Sequence, residues 1–506
     1  MSKEKFDALF AYTQTLVDLQ GIGGVAGWDM QTHMPPKGAA VRGERLATLT
    51  SIVHEMATRK ELGDLIAASE DYARSQGEES FEFANWRETD RQYKKATVIP
   101  TEMAAEISRA GSQGHVAWMA ARKNNDYASF KPFLQKNIEL VHKVVELSRP
   151  LFPNVEDDYD ILLDDYEHGM KTSDVAEVFD VFKAGAKPLV EKVAAHAGDG
   201  RDAATFKHFP QATQDALVRE VAKQVGFNDD EWDLTTTAHP FEHSMSIHDI
   251  RITTKFDENF FNPSFFGTLH EFGHGLYENQ IDDRYERTML GHGVSLAWHE
   301  SQSRSLENLV GRSLPFWKWA TPVVQKHFPE QFAGMSAEDI YRAVNVMGPS
   351  LIRIEADELT YNYHIIIRFE LERALLSGEV TVDTLPEAWN AKYKEYLGVD
   401  VPSDSDGVLQ DVHWSGGSFG YFSTYALGNM LGAMLWKRVT AELPGLEDEF
   451  AAGEFGSLRA WLRENIHQYG SHYTPNDLLF KVLGTRKLDA QPQLDYLTAK
   501  VNELYG

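Results

Sequence analysis

The chain has 506 residues, 42% of them hydrophobic and 25% charged, with a formal net charge of −27 and no cysteine. This is the balance of a globular protein; its acidity argues against a nucleic-acid partner or an anionic membrane surface, both of which select basic patches. The missing cysteine excludes disulfides, cysteine-based zinc sites and thiol catalysis, so any metal must be held by histidine and carboxylate.

The opening MSKEKFDALFAYTQTLVDLQ is charged early and has no apolar core of signal-peptide length. No stretch approaches the ~18 unbroken apolar residues of a bilayer span, so a cytoplasmic chain with no membrane partner is expected. Phe6, Leu9, Phe10, Thr13, Leu16 and Val17 form a helical stripe, and similar periods recur in FLQKNIELVHKVVELS, ALVREVAKQVGF, YNYHIIIRFELERALLSG and ALGNMLGAMLWKRVTAEL. The breaks HMPPKGA, RPLFPNVEDDYD, HAGDGRD and VPSDSDG are short and turn-like. None reads as an inter-domain linker, so a single domain over 1–506 is expected.

Residues 249–256 break the helical period. Asp249, Arg251, Thr253 and Lys255 alternate with Ile250, Ile252, Thr254 and Phe256, the pattern of a half-buried strand. A small sheet is therefore expected just upstream of the next helix, in an otherwise mostly α protein. This strand could hold an extended peptide by edge pairing, with Arg251 on its polar face.

The stretch NPSFFGTLHEFGHGLYENQ predicts a helix over about 263–280. Asn262 suits the N-cap, Pro263 the first helical position, and Phe265, Phe266, Leu269, Phe272 and Leu276 the buried stripe. His270 and His274 are four apart and project together, so both imidazoles can ligate one zinc while Glu271 reaches a water on it as general base. The bland alternative is a pair of exposed histidines, among the 19 of this chain. Gly273 and Gly275 are poor helix formers and point to a close backbone approach at that face. A second helix, GVSLAWHESQSRSLENLVG, carries Leu296, Leu306, Leu309 and Val310 as apolar positions and Glu300 as the candidate third ligand. A glutamate on a solvated face is the alternative.

Seven stretches of the chain, some already described, carry a resemblance. In order they are GWDMQTHMPPKGAAVRGERLATL, HPF at 239–241, DIRIT at 249–253, HEFGH with HESQSR, IRIEAD at 352–357 and GVLQDVHW at 407–414. Together they resemble the thermostable carboxypeptidase Taq family of zinc metallocarboxypeptidases. The resemblance implies His270, His274 and Glu300 as ligands of one Zn2+ per subunit, with Glu271 as base and proton shuttle; Co2+ suits the same ligands. It implies a mostly helical body split by a deep substrate groove between two halves, with a small antiparallel sheet beside the HExxH helix, similar to angiotensin-converting enzyme and neurolysin. It also implies a homodimer that removes single C-terminal residues from peptides with broad tolerance, but not at proline.

A carboxypeptidase must bind a free α-carboxylate, and the family's candidate is Arg353; a helix-surface ion pair with Asp357 or Glu358 is the alternative. The resemblance to angiotensin-converting enzyme suggests His413 for the peptide carbonyl and Tyr421 for the oxyanion. Tyr421 also fits a core aromatic beside Phe419, Phe422 and Tyr425. Gly416, Gly417 and Gly420 suit a mobile loop. His239 is either a substrate contact or structural. In the thermolysin pattern the residue four beyond the glutamate ligand is an acid that partners a ligand histidine. Here it is Arg304, and Asp357 is the candidate for that role. The rival activities are an oligopeptidase cutting inside short peptides and a helical binding protein with a structural metal.

Overall fold

The computed structural model describes residues 3–196, 198 and 200–506. The opening Met1 and Ser2, and Ala197 and Asp199 of the HAGDGRD break, lie outside the described residues. The fold is mostly α with one three-stranded sheet, and it contains two compact units. One comprises Met1–Thr97, Arg201–Asn345 and Leu435–Arg486; the other comprises Val98–Gly200, Val346–Met434 and Lys487–Gly506. Among the described residues no helix is long and apolar enough to cross a membrane.

In the first unit the helix Lys3–Thr32 buries Phe6, Leu9, Thr13 and Leu16 of the stripe read from its period, with Phe10 and Val17 at its half-buried margin. They pack with Leu62, Ile66 and Ala73 of the helix Lys60–Ser75 and with Trp86. The sheet consists of β1 (Trp232–Thr236), β2 (Glu242–Ser246) and β3 (Asp249–Thr254) in the order β1-β3-β2. β3 runs parallel to β1 and antiparallel to β2, so the sheet is mixed and not wholly antiparallel. Ile250, Ile252 and Thr254 are buried, as the alternation predicts, but Thr253 on the expected polar face is buried too, its hydroxyl bonded to the Phe241 backbone, and the strand ends at Thr254, before Lys255 and Phe256. The edge-pairing expectation for this strand does not hold, because β3 is the central strand and both its hydrogen-bonding edges are already paired. Alternation reports which face a strand buries and says nothing about its neighbours.

In the second unit the helix Tyr361–Ser377 is buried nearly all round. Its residues His364, Arg368 and Glu372, at intervals of four, form a stripe of fully buried polar side chains. A helix enclosed this completely can carry such groups only where each meets a partner, and those partners build the unit's candidate substrate side chains.

Candidate functional site

The HEFGH helix spans Asn262–Asn279. Asn262 lies inside the first turn instead of capping it, and Pro263 is the second helical residue. Phe261 holds the cap position without a side-chain cap bond. Its ring stacks on Phe265, one turn ahead, at 5.0 Å, which draws the chain into the helical path one residue early. Phe265, Phe266, Leu269, Phe272 and Leu276 are all buried. Both glycines mark close approaches: a Cβ on Gly275 would lie 2.5 Å from the Trp232 ring and 2.7 Å from Ile250, and one on Gly273 would lie 2.6 Å from the Gln302 carbonyl oxygen. The helix is thus pressed between the sheet and the helix Leu296–Arg304, whose first turn is capped by the Ser295 side chain.

That double contact brings three donors together. Glu300 Oε2 lies 3.6 Å from His270 Nε2 and 3.5 Å from His274 Nε2. Four donors placed tetrahedrally about 2.0–2.2 Å from a zinc ion stand roughly 3.3–3.6 Å from one another, and both separations from Glu300 match that spacing. Among the described residues it is the one group of three histidine, cysteine or acidic side chains close enough to hold a metal.

Each donor is held from behind. His270 Nδ1 is 2.9 Å from Glu307 Oε2. Arg304 donates to Glu300 Oε1 at 2.6 Å and to Glu307 Oε2 at 3.1 Å, while Glu300 Oε2, which also accepts the Ser303 hydroxyl at 3.0 Å, faces the histidines. His274 Nδ1 lies 3.2 Å from His299 Nδ1, and His299 Nε2 lies 2.7 Å from Glu278 Oε1, which also accepts the Gly293 N–H at 2.7 Å. With Nε2 of His274 kept for the metal, its Nδ1–H donates to His299, whose own proton then sits on Nε2 against Glu278.

Sequence reasoning missed Glu307, His299 and Glu278. Glu307 stands seven beyond Glu300 and Glu278 four beyond His274, both helical same-face spacings that carry the signal. The acid expected four beyond Glu300 is displaced by one turn, and the chain around it is π-helical over Ser305–Val310, closed by the Gly311 N–H on the Leu306 carbonyl at 2.9 Å.

The electrostatics suit a cation. Burial pushes His274 down to about 4, leaving it neutral. Burial opposes ionisation of Glu300, but Arg304 and the two histidines hold it well below the usual carboxylate range. Glu307 is likewise held down to about 2, because Arg304 and His270 outweigh its burial. Glu271 moves the other way, up to about 7, through burial and the nearby charges of Glu300 and Glu307, with His270 and Arg304 opposing. Replacing Glu307 by Gln is expected to weaken divalent-metal affinity by roughly 10–100-fold, read by competition with a chromogenic chelator.

In the second unit Arg353 lies on the short turn Arg353–Glu355 and is buried. Its partner is neither Asp357 nor Glu358. Nε and Nη2 donate to Asp411 Oδ1 at 2.9 and 2.7 Å, and Nη1 donates to the Tyr361 hydroxyl at 3.1 Å. The other oxygen of Asp411 accepts from Arg368 Nε at 2.7 Å, so one carboxylate serves two buried guanidinium groups. His413 begins the turn His413–Gly416. Burial pushes it down to about 4, with Arg353 and Arg368 adding to the effect against Asp411, and its Nδ1 has no hydrogen-bond partner among the described residues. The Tyr421 ring lies 5.1 Å from that of His413, 5.1 Å from Tyr166 and 5.4 Å from Tyr425.

Asp357 is not the partner of a ligand histidine, since those positions belong to Glu307 and His299. Its carboxylate caps its own loop, accepting the N–H groups of Gly348, Leu359 and Thr360 and the Thr360 hydroxyl. In the first unit His239 is exposed. Arg251 forms a two-point ion pair with Asp249 at 2.7 and 2.9 Å and lies 4.6 Å over the Trp28 ring.

Known proteins similar to this chain are carboxypeptidases of a metallopeptidase family. Residues 8–501 match the family model described as carboxypeptidase Taq (M32) metallopeptidase. The chain is 39% identical to thermostable carboxypeptidase 1 of Thermus thermophilus, with 99% of each chain covered, and 36% identical to carboxypeptidase 1 of Bacillus subtilis, with 94% of each covered. Among solved structures it is similar to the M32 carboxypeptidase of Deinococcus radiodurans, with a TM-score of 0.94, 38% identity and both chains fully covered. It is also similar to the Pyrococcus furiosus carboxypeptidase, with a TM-score of 0.94, 34% identity and 99% of each covered. With a divalent-metal donor set at its centre and relatives matched over nearly their whole length, this chain belongs to the carboxypeptidase Taq (M32) family and is a metallocarboxypeptidase, a hydrolase of peptide bonds.

Proposed function

We propose that the metal is zinc, with cobalt suiting the same ligands, and that one ion per chain is held by His270, His274 and Glu300. The observation that carries this is the convergence of two imidazole Nε2 atoms and one carboxylate oxygen at 3.5–3.6 Å, with every other polar atom of those side chains turned to a partner. When bound, the ion polarises the scissile carbonyl and acidifies a water. Glu271, buried with its proton affinity raised towards neutrality, takes the proton from the attacking water and passes it to the departing amine.

Arg353 receives the substrate's α-carboxylate in this reading. Two guanidinium groups against one carboxylate leave an excess positive charge in a buried cluster, and a second carboxylate would compensate it. His413, kept neutral, offers an N–H to the peptide carbonyl, and Tyr421 offers its hydroxyl to the developing oxyanion. His239 and Arg251 are the further substrate contacts. The activity is stepwise removal of C-terminal residues with broad side-chain tolerance, proline excepted, by a cytoplasmic homodimer. The family resemblance supports these last points.

A peptide with a free, non-proline C-terminus should be shortened one residue at a time, as read by mass spectrometry. Chelator should stop this, and zinc or cobalt should restore it. The same peptide amidated at its C-terminus should resist. Internal cleavage of the amide would instead identify an oligopeptidase.

A further inference from the structure

Glu372 is fully buried on the helix Tyr361–Ser377, and the reaction proposed above gives it no part. Its Oε2 accepts the Tyr159 hydroxyl at 2.5 Å and the Gly420 N–H at 3.0 Å, and its Oε1 accepts Trp414 Nε1 at 2.7 Å. Among the described residues no cation is in ion-pair contact with it. Burial pushes it up to about 7 against those three donors and the charge of Arg368 on the same helix. A carboxyl group enclosed in this way is a costly means of filling space, and an apolar side chain would pack there more cheaply. What it does that an apolar residue cannot is hold several donors at fixed positions.

Two of those donors bracket one segment. Trp414 directly follows His413, and Gly420 directly precedes Tyr421. At the far end Gly420 has φ +89°, and a Cβ there would lie 2.8 Å from the carbonyl carbon and oxygen of Leu162, so the chain is pressed against backbone on one side while its N–H points to Glu372 on the other. At the near end Asn137 Nδ2 donates to the Trp414 and Ser415 carbonyl oxygens at 3.1 and 2.8 Å. Between the ends are Gly416 and Gly417, the latter at φ +80°, neither with a side chain to hold it. One carboxylate therefore ties both ends of this segment, whose flanking side chains are His413 and Tyr421, while inside it the Gly417 and Ser418 N–H groups donate to the Trp414 and His413 carbonyl oxygens.

We propose that Glu372 is a positioning residue for the reaction: by binding Trp414 and Gly420 at once it fixes the spacing of His413 and Tyr421, whose rings lie 5.1 Å apart. This rests on the reading that His413 and Tyr421 act on the substrate, and the test separates the two ideas. Metal-loaded wild type is compared with Glu372→Gln, Trp414→Phe and their combination, and in parallel with Tyr421→Phe and His413→Ala. The readouts are kcat, KM, metal content and hydrogen–deuterium exchange of the 413–421 amides.

Glu372→Gln keeps the shape but replaces one acceptor oxygen with a donor. It is expected to lower kcat by about tenfold or more with KM within about twofold and metal content unchanged, and to speed exchange of the 413–421 amides. Trp414→Phe should give a smaller loss. The double variant should be no worse than Glu372→Gln, because both act through one carboxylate. If Glu372→Gln keeps wild-type kcat while Tyr421→Phe or His413→Ala is impaired, the positioning role is overturned and the reading of the loop stands. If Tyr421→Phe and His413→Ala both keep wild-type kcat, the reading of the loop has failed and the proposal falls with it. Should Glu372→Gln fail to fold, Trp414→Phe carries the test alone: slower turnover with faster loop exchange supports the role, and an unchanged kcat overturns it.

Discussion

Glu271→Gln is expected to lower peptide turnover by about 10²–10⁴-fold while the protein still binds one metal ion per chain. Glutamine matches the carboxylate in size, so the helix and both histidines should keep their places, and only the capacity to accept a proton is lost. The position suits that job because Glu271 is 7% exposed and burial, with the charges of Glu300 and Glu307, raises its proton affinity to about 7. A base matched to neutral pH can both take a proton from water and give it up to a leaving amine. Turnover by mass spectrometry and metal content by atomic emission check the two halves. Wild-type turnover in a fully metal-loaded variant would remove Glu271 from the mechanism.

Gly273→Ala should damage the centre from outside it. In an exposed helix the change from glycine to alanine stabilises by up to about 1 kcal/mol. Here the sign reverses, because the new Cβ would meet the Gln302 carbonyl oxygen and the Ser303 Cα at 2.6 Å, and these are backbone atoms two and three residues beyond Glu300. Either the two helices separate or the chain around Glu300 shifts. Overpacking of this kind destabilises by roughly 1–3 kcal/mol, and the shift also spoils the 3.5–3.6 Å spacing of the donors. A lower thermal midpoint with weaker metal affinity is the expected result. Gly267→Ala on the same helix is the control: nothing lies within 4 Å of its added Cβ, so it should be neutral or slightly stabilising. Equal behaviour of the two variants would show that helix contact at Gly273 does not set the donor geometry.

These two cases divide what was legible in advance from what was not. The spacing of His270, Glu271 and His274 reads directly, because four residues make about one helical turn and neighbours on a helix face are fixed locally. The buried stripe of the same helix reads for the same reason, as does the face of β3 carrying Ile250 and Ile252, although Thr253 on its other face is buried as well. Gly273 and Gly275 announced a close approach without saying to what. Glu307 and Glu278 also obeyed helical spacing, yet Arg304 occupied the place where an acid was expected and drew attention to Asp357, which caps its own loop.

By itself, then, the sequence determined the helix faces, the strand's buried side, the one-turn spacing of His270 and His274 with Glu271 beside them, and, through motifs in order along the chain, the family. The tertiary structure alone decided the partners. β3 became a central strand because β1 and β2 flank it, and Arg353 found Asp411, far along the chain, instead of the acids four and five residues away. Glu372 gathered donors from Tyr159, Trp414 and Gly420, separated from it by up to 213 residues. The physical reason is common to all three. Helical and strand periods are set by backbone geometry within a few residues, whereas a buried charge or a strand edge is satisfied by whichever group the packed fold brings to it.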